Sequence, residues 1–135
     1  MVRGLGAALA EASSPSWARR ARAGRDLASF AEVPEAAEAL LGLLLDAEDT
    51  AVTRQTAEAL ARMGTVAAMR LIALAVAGAD DNQADWLQTG VHDVLVDSDG
   101  GPAVAVVCGK LARDPKEVVR RGAAYISAWM DGNGP

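Results

Sequence analysis

Glu48-Asp49-Thr50-Ala51-Val52-Thr53-Arg54-Gln55-Thr56-Ala57-Glu58-Ala59-Leu60-Ala61-Arg62-Met63-Gly64 reads as a single amphipathic helix. Val52, Thr56, Leu60 and Met63 recur at the spacing of one helix face, and Arg54, Glu58 and Arg62 lie one turn apart on the opposite side. An acidic turn opens the stretch and Gly64 closes it. Shifted by 66 positions, Asp114-Pro115-Lys116-Glu117-Val118-Val119-Arg120-Arg121-Gly122-Ala123-Ala124-Tyr125-Ile126-Ser127-Ala128-Trp129-Met130 falls on the same template. Val52, Thr56, Leu60 and Met63 become Val118, Gly122, Ile126 and Trp129, and Arg54 becomes Arg120.

Working outward, prolines punctuate the chain. Pro15, Pro34, Pro102 and Pro115 each precede a helical pattern, because proline has no N–H to lose at the first helical position. Ser14 and Asp114 stand before two of them as N-cap side chains, and Asp114 with Glu117 has capping-box spacing. Asp80-Asp81-Asn82 offers another cap. The predicted helices are 3–11, 15–31, 34–45, 50–63, 66–77, 83–96, 102–113 and 115–130, in one domain over 1–131 with a polar tail at 132–135 that should fray. Links this short make neighbouring helices antiparallel hairpins.

Two kinds of helix alternate. Those at 34–45, 66–77 and 102–113 are apolar almost all round, which predicts cover on more than one side. The others keep a polar face. Polar-faced helices repeat at about 33 residues, a helix-pair period typical of α-solenoids. Val52 aligns with Trp86 or Leu87, and Leu60 and Met63 align backwards with Leu27 and Phe30.

On these residues the chain resembles the HEAT-repeat family. An acidic or proline-containing turn precedes Val-x-Arg, then small and apolar residues: Asp49…Val52-Thr53-Arg54…Ala57…Ala59-Leu60…Gly64, and again Asp114…Val118-Val119-Arg120…Ala123…Ile126. The resemblance covers roughly 15–130, with Gln88 or Thr89 replacing the arginine in the helix at 83–96. It implies an all-α, armadillo-like fold: a right-handed α-solenoid of about four antiparallel helix hairpins. An armadillo repeat proper would need a third short helix, for which there is no room. A tetratricopeptide signature of large aromatics is absent. In the family, the arginine matching Arg54 and Arg120 pairs with the acidic turn residue, here Asp49 or Asp114, or with the next repeat.

Composition narrows the function. Hydrophobic residues make up 51% but aromatics only 4%, so alanine and leucine carry the apolar content and favour helix. No apolar run approaches a membrane span. The segment 1–10 is too weakly hydrophobic for a signal peptide, despite Ala10-Glu11-Ala12, and reads as helix. The single Cys108 forms no internal disulfide, consistent with a bacterial cytoplasmic protein. A net charge of −5 argues against nucleic acid as the partner. Cys108 and His92 would have to form any nucleophile–base pair, and Cys108 lies in an apolar helix where a free thiol is a small core residue. His92 reads as a polar-face residue. Asp97-Ser98-Asp99-Gly100-Gly101 resembles the start of a calcium loop but lacks its later oxygen ligands, and reads as a helix-ending loop. No catalytic residue, metal site or cofactor follows from the sequence.

What remains is a binding surface. The resemblance implies a concave layer of polar-faced helices carrying Arg54, Glu58, Gln88, His92, Arg120 and Arg121, extended by Arg22 and Arg25. Arg62, Glu58 and Arg121 are expected to face outward. The cluster Arg19, Arg20, Arg22 and Arg25 reads as a solvated helix end, with an anion-binding patch as the alternative. Trp86 and Trp129 are expected in the core, and Trp17 is divided between core and surface. The expected function is a non-enzymatic adaptor for a protein partner. Alternatives are an inhibitor or immunity partner of a basic protein, a HEAT-like nucleic-acid binder akin to alkylpurine DNA glycosylases, and an enzyme akin to HEAT-like bilin lyases. End-to-end stacking into a homodimer is a further expectation.

Overall fold

Side-chain oxygens cap the starts of four helices among the described residues. Ser16 accepts from the Arg19 amide, Asp49 from Ala51 at 2.8 Å, and Thr65 from Ala68 at 3.1 Å. Asp80 accepts from Gln83 at 2.7 Å while the Gln83 side chain returns to the Asp80 amide, completing a capping box. The computed structural model describes residues 4–96 and 100–130. Among these the chain is all-helical, with α1 Leu5–Glu11, α2 Trp17–Leu27 continued by a 3₁₀ turn Ala28–Phe30, α3 Pro34–Leu44, α4 Thr50–Met63, α5 Val66–Gly78, α6 Asp81–Leu95, α7 Gly100–Leu111 and α8 Glu117–Met130.

The stretch at 50–63 is a helix with the predicted bounds, and Gly64 ends it in the left-handed region at φ 62°. Three proline readings shift. α2 is capped by Ser16, and Ser14 instead accepts from the Ser16 amide. α7 begins at Gly100, two residues before Pro102, so Gly100 and Gly101, read as loop, belong to the helix. α8 begins at Glu117, two residues after Pro115. The Asp114 carboxylate accepts from the Lys116 amide and from Arg70 on α5, so the predicted box with Glu117 does not form. The predicted start of α1 at residue 3, the loop residues 97–99 and the tail 132–135 lie outside the described residues.

Alternate helices pack side by side: α2 lies on α4 and α4 on α6, the last being the most extensive helix pairing of the described structure. Glycine permits the close approach. A Cβ on Gly90 of α6 would lie 2.5 Å from the Arg54 carbonyl oxygen, and one on Gly24 of α2 would overlap the Thr56 side chain. Val52, Thr56 and Leu60 of α4 are fully buried between these neighbours, while Met63 is exposed. α3 and α5 form the adjoining layer, with Leu40, Leu44, Met69 and Ile72 fully buried.

The last pair departs from this order. The second most extensive pairing joins α8 to α5, whereas α8 touches α6 only slightly. Gly122 sets the seat: a Cβ there would overlap the backbone of Ala73, its carbonyl oxygen included. The helix buries a narrower stripe than its counterpart α4: Val119, Gly122, Ala123 and Ile126 are buried, as Thr53, Thr56, Ala57 and Leu60 are, but Val118 is 40% exposed where Val52 is fully buried. α7 is apolar all round but covered on one side only; Val104, Val107, Cys108 and Leu111 are buried and Val106 is 62% exposed. Cover on several sides holds for α5 and fails for α7.

Candidate partner-binding groove

The outward residues of the α2–α4–α6 row are largely tied to one another. Arg22 pairs with Glu11 of α1 at 2.6 Å, and Arg25 donates to the Gln55 side chain on α4. Arg54 grips Asp93 of α6 through two nitrogens, at 2.9 and 3.1 Å. The predicted arginine pairing therefore runs to the neighbouring helix, and Asp49 serves as the cap of α4 instead. Glu58 and Arg62 approach at 3.9 Å along α4. Arg54 and Glu58 join Trp86, Thr50, Ala51 and Gln55 around an open hollow of about 320 Å³. Trp86 is thus half-buried rather than in the core.

Arg120 and Arg121 stand apart from that row. α8 is seated on α5, and its arginines serve its own start: Arg120 donates to the Asp114 carbonyl oxygen at 2.6 Å, and Arg121 pairs with Glu117 at 3.7 Å. The Asp114 carboxylate expected for Arg120 is held by Arg70 at 3.0 Å. Arg20, from the cluster read as a solvated helix end, is buried. It binds Asp46 at 2.8 Å and the Ser14 carbonyl at 2.9 Å, fastening α2 to the turn after α3. Burial pushes the Asp46 carboxyl up, but Arg20 and the amides of Asp49 and Glu48 outweigh it and hold the group below its ordinary value. Asp114 is also held low, by its hydrogen bonds from Arg70 and Lys116.

Because α8 turns toward α5, it leaves a groove beside α6. Two clefts adjoin there and share Trp129. One, of about 350 Å³, lies among Asp81, Asp85 and Gln88 of α6, Tyr125 and Trp129 of α8, and the end of α5. The other, of about 430 Å³, runs past His92, Leu95 and Val96 to Pro102 and Ala105 of α7 and Met130. Tyr125 is 52% exposed, Val96 is 70% exposed, and Trp129 is half-buried. Gln88 and His92, placed by sequence on the polar face, line this groove instead of continuing the α4 surface. Trp17 is 48% exposed on the first turn of α2.

Tyr125, Asp81 and Asp85 had no groove role in the sequence reading, and Trp129, expected in the core, is half-buried in the groove wall. Tyr125 and Trp129 are one turn apart on α8, and that aromatic pair was the available signal. Cys108 is buried, and burial pushes its thiol up against the opposing hydrogen bond to Ser127, which makes it a poor nucleophile. No cluster of three metal-ligating side chains occurs among the described residues, and none of their helices is long and apolar enough to cross a membrane. Compared with known proteins, the chain matches no family model, no curated protein and no solved structure.

Proposed function

We propose that this protein is a non-enzymatic protein-binding module built as a short HEAT-like right-handed α-solenoid, acting in the cytoplasm. The observation that supports this most is the α2–α4–α6 row. Alternate helices pack in order at close approach, and Arg25–Gln55 and Arg54–Asp93 tie their outward sides together. Such a row presents a pre-formed surface, which lowers the ordering cost of binding a partner. Arg22, Arg25, Arg54, Glu58 and Arg62 form its mixed-charge part, and Gln88 and His92 lead into the groove beside α8. Arg120 and Arg121 lie apart from that row, on the helix seated on α5, as outlying members of the surface.

The test is affinity capture from the source organism with wild-type protein and with alanine at Glu58, His92 and Arg121 together. Loss of a specific partner in the variant supports the reading; full retention removes this surface from the account. A second reading, an inhibitor of a basic protein, is favoured by the net charge of −5. It predicts that the captured partner is cationic and that capture weakens steeply with salt. A salt-sensitive shift of duplex DNA at moderate ionic strength would move the proposal to nucleic acid.

A further inference from the structure

The groove between α6 and α8 is chemically polarised along its length. Near the start of α6, Asp81 and Asp85 lie one turn apart, both exposed, beside Tyr125 and Trp129. Farther along α6 the lining turns apolar at Leu95 and Val96. Glu11, Asp46, Asp93 and Asp114 each hold an arginine, whereas among the described residues neither Asp81 nor Asp85 has an ion-pair partner. Glu35 and Glu38 of α3 likewise have none among those residues, but they line a cleft with no aromatic ring. An acidic pair next to two aromatic rings attracts a cation twice over, through the carboxylates and through the ring faces. An acidic or neutral occupant would gain neither. The distance along α6 from Asp81 to Val96, at 1.5 Å per residue, is about 22 Å, enough for about four turns of a docked helix.

We infer that this groove takes a segment of a partner protein bearing a lysine or arginine, whose charged head sits between Asp81, Asp85 and the rings of Tyr125 and Trp129, with apolar residues of the segment lying along Leu95 and Val96. This rests on the protein-binding reading and names the chemistry of the partner. It is the helix-in-groove mode of recognition with a cationic anchor at one end.

Random dodecapeptides displayed on phage and panned against the full chain test it. The expected result is enrichment of peptides with Lys or Arg beside apolar residues. Their synthetic forms should bind the Asp81→Asn/Asp85→Asn variant about tenfold more weakly, the effect of removing one charge-assisted hydrogen bond. Both aspartates are exposed, so the variant should fold; an unchanged helical spectrum and melting point verify this. Asp81 also lies in the first turn of α6, so Asp85→Asn alone serves as the second variant. Enrichment of acidic or uncharged peptides, no enrichment, or affinity indifferent to both variants would overturn the inference. So would a dimer that dissociates on Tyr125→Ala, because a second copy would then fill the groove. Capture of a protein partner that survives the aspartate changes but fails with alanine at Glu58, His92 and Arg121 overturns this inference and leaves the binding-module reading standing. Absence of any capture by the wild-type chain overturns both.

Discussion

α4 and α8 carry matching sequences, yet they keep different company. α4 lies between α2 and α6 in a side-by-side row; α8 leaves that row and seats itself on α5. Both placements depend on a glycine at the crossing, Gly90 of α6 against α4 and Gly122 of α8 against α5. The difference teaches that a repeated helix pattern specifies a buried stripe and not the neighbour that buries it. The consequence is a surface cross-tied by Arg25–Gln55 and Arg54–Asp93 along the row and an aromatic-lined groove where the row stops.

The seats of the three glycines separate the two arrangements by stability. Alanine in a helix interior gains up to about 1 kcal/mol over glycine, so a cost appears only where the new methyl cannot fit. Gly122→Ala meets the backbone of Ala73, which cannot turn aside, and should lose about 3 kcal/mol in urea unfolding. Gly90→Ala meets the Arg54 carbonyl oxygen and should lose about 1–2 kcal/mol in the same measurement. Gly24→Ala meets the fully buried, β-branched side chain of Thr56, which has few rotamers to escape into, and should lose about 1 kcal/mol, part of which Thr56→Ala should restore. Equal costs at Gly122 and Gly24 would erase the distinction between the α5–α8 seat and the row.

Acid provides the next test. Asp46 fastens the start of the row and Asp114 fastens α8 to α5, and both titrate below their ordinary values in the folded chain. The unfolded chain binds protons to them near pH 3.9, so their stabilisation is complete above that pH and is lost as pH falls through the lower native values. Urea midpoints should therefore drop between pH 5 and pH 2, and Arg20→Gln should flatten the part that belongs to Asp46. The smallest effect is expected on the surface of the row. Arg54→Ala removes a pair in which the arginine is 45% exposed and should change stability by about 0.5 kcal/mol or less, as read by thermal unfolding.

Local signals were legible in the sequence, and long-range ones were not. The bounds of α4, the buried Val52–Thr56–Leu60 stripe and the Asp80 cap follow from spacing and capping chemistry within a few residues. The partner of Arg54 was legible only as one of several options, since reaching Asp93 requires knowing how α4 meets α6. The placement of α8 was hidden because the same stripe, Val119, Gly122, Ala123 and Ile126, is buried whichever neighbour covers it. The neighbour that covers it is α5, which Gly122 approaches closely at Ala73. With that neighbour went the groove: Trp129, aligned by sequence with Met63 as a core residue, became part of its wall.

The seat of α8 also has a kinetic meaning. Gly122 meets a residue farther away in the chain than either Gly90 or Gly24 does, so this crossing closes the largest loop of the three and is expected to form after the other two. α8 should accordingly be among the first helices released in native-state fluctuations, with amide exchange faster than in α4. Its release would take Tyr125 and Trp129 out of the groove. Docking of the last helix and occupancy of the groove are then one linked equilibrium: whatever binds there slows exchange in α8, and whatever loosens α8 weakens binding by the same factor.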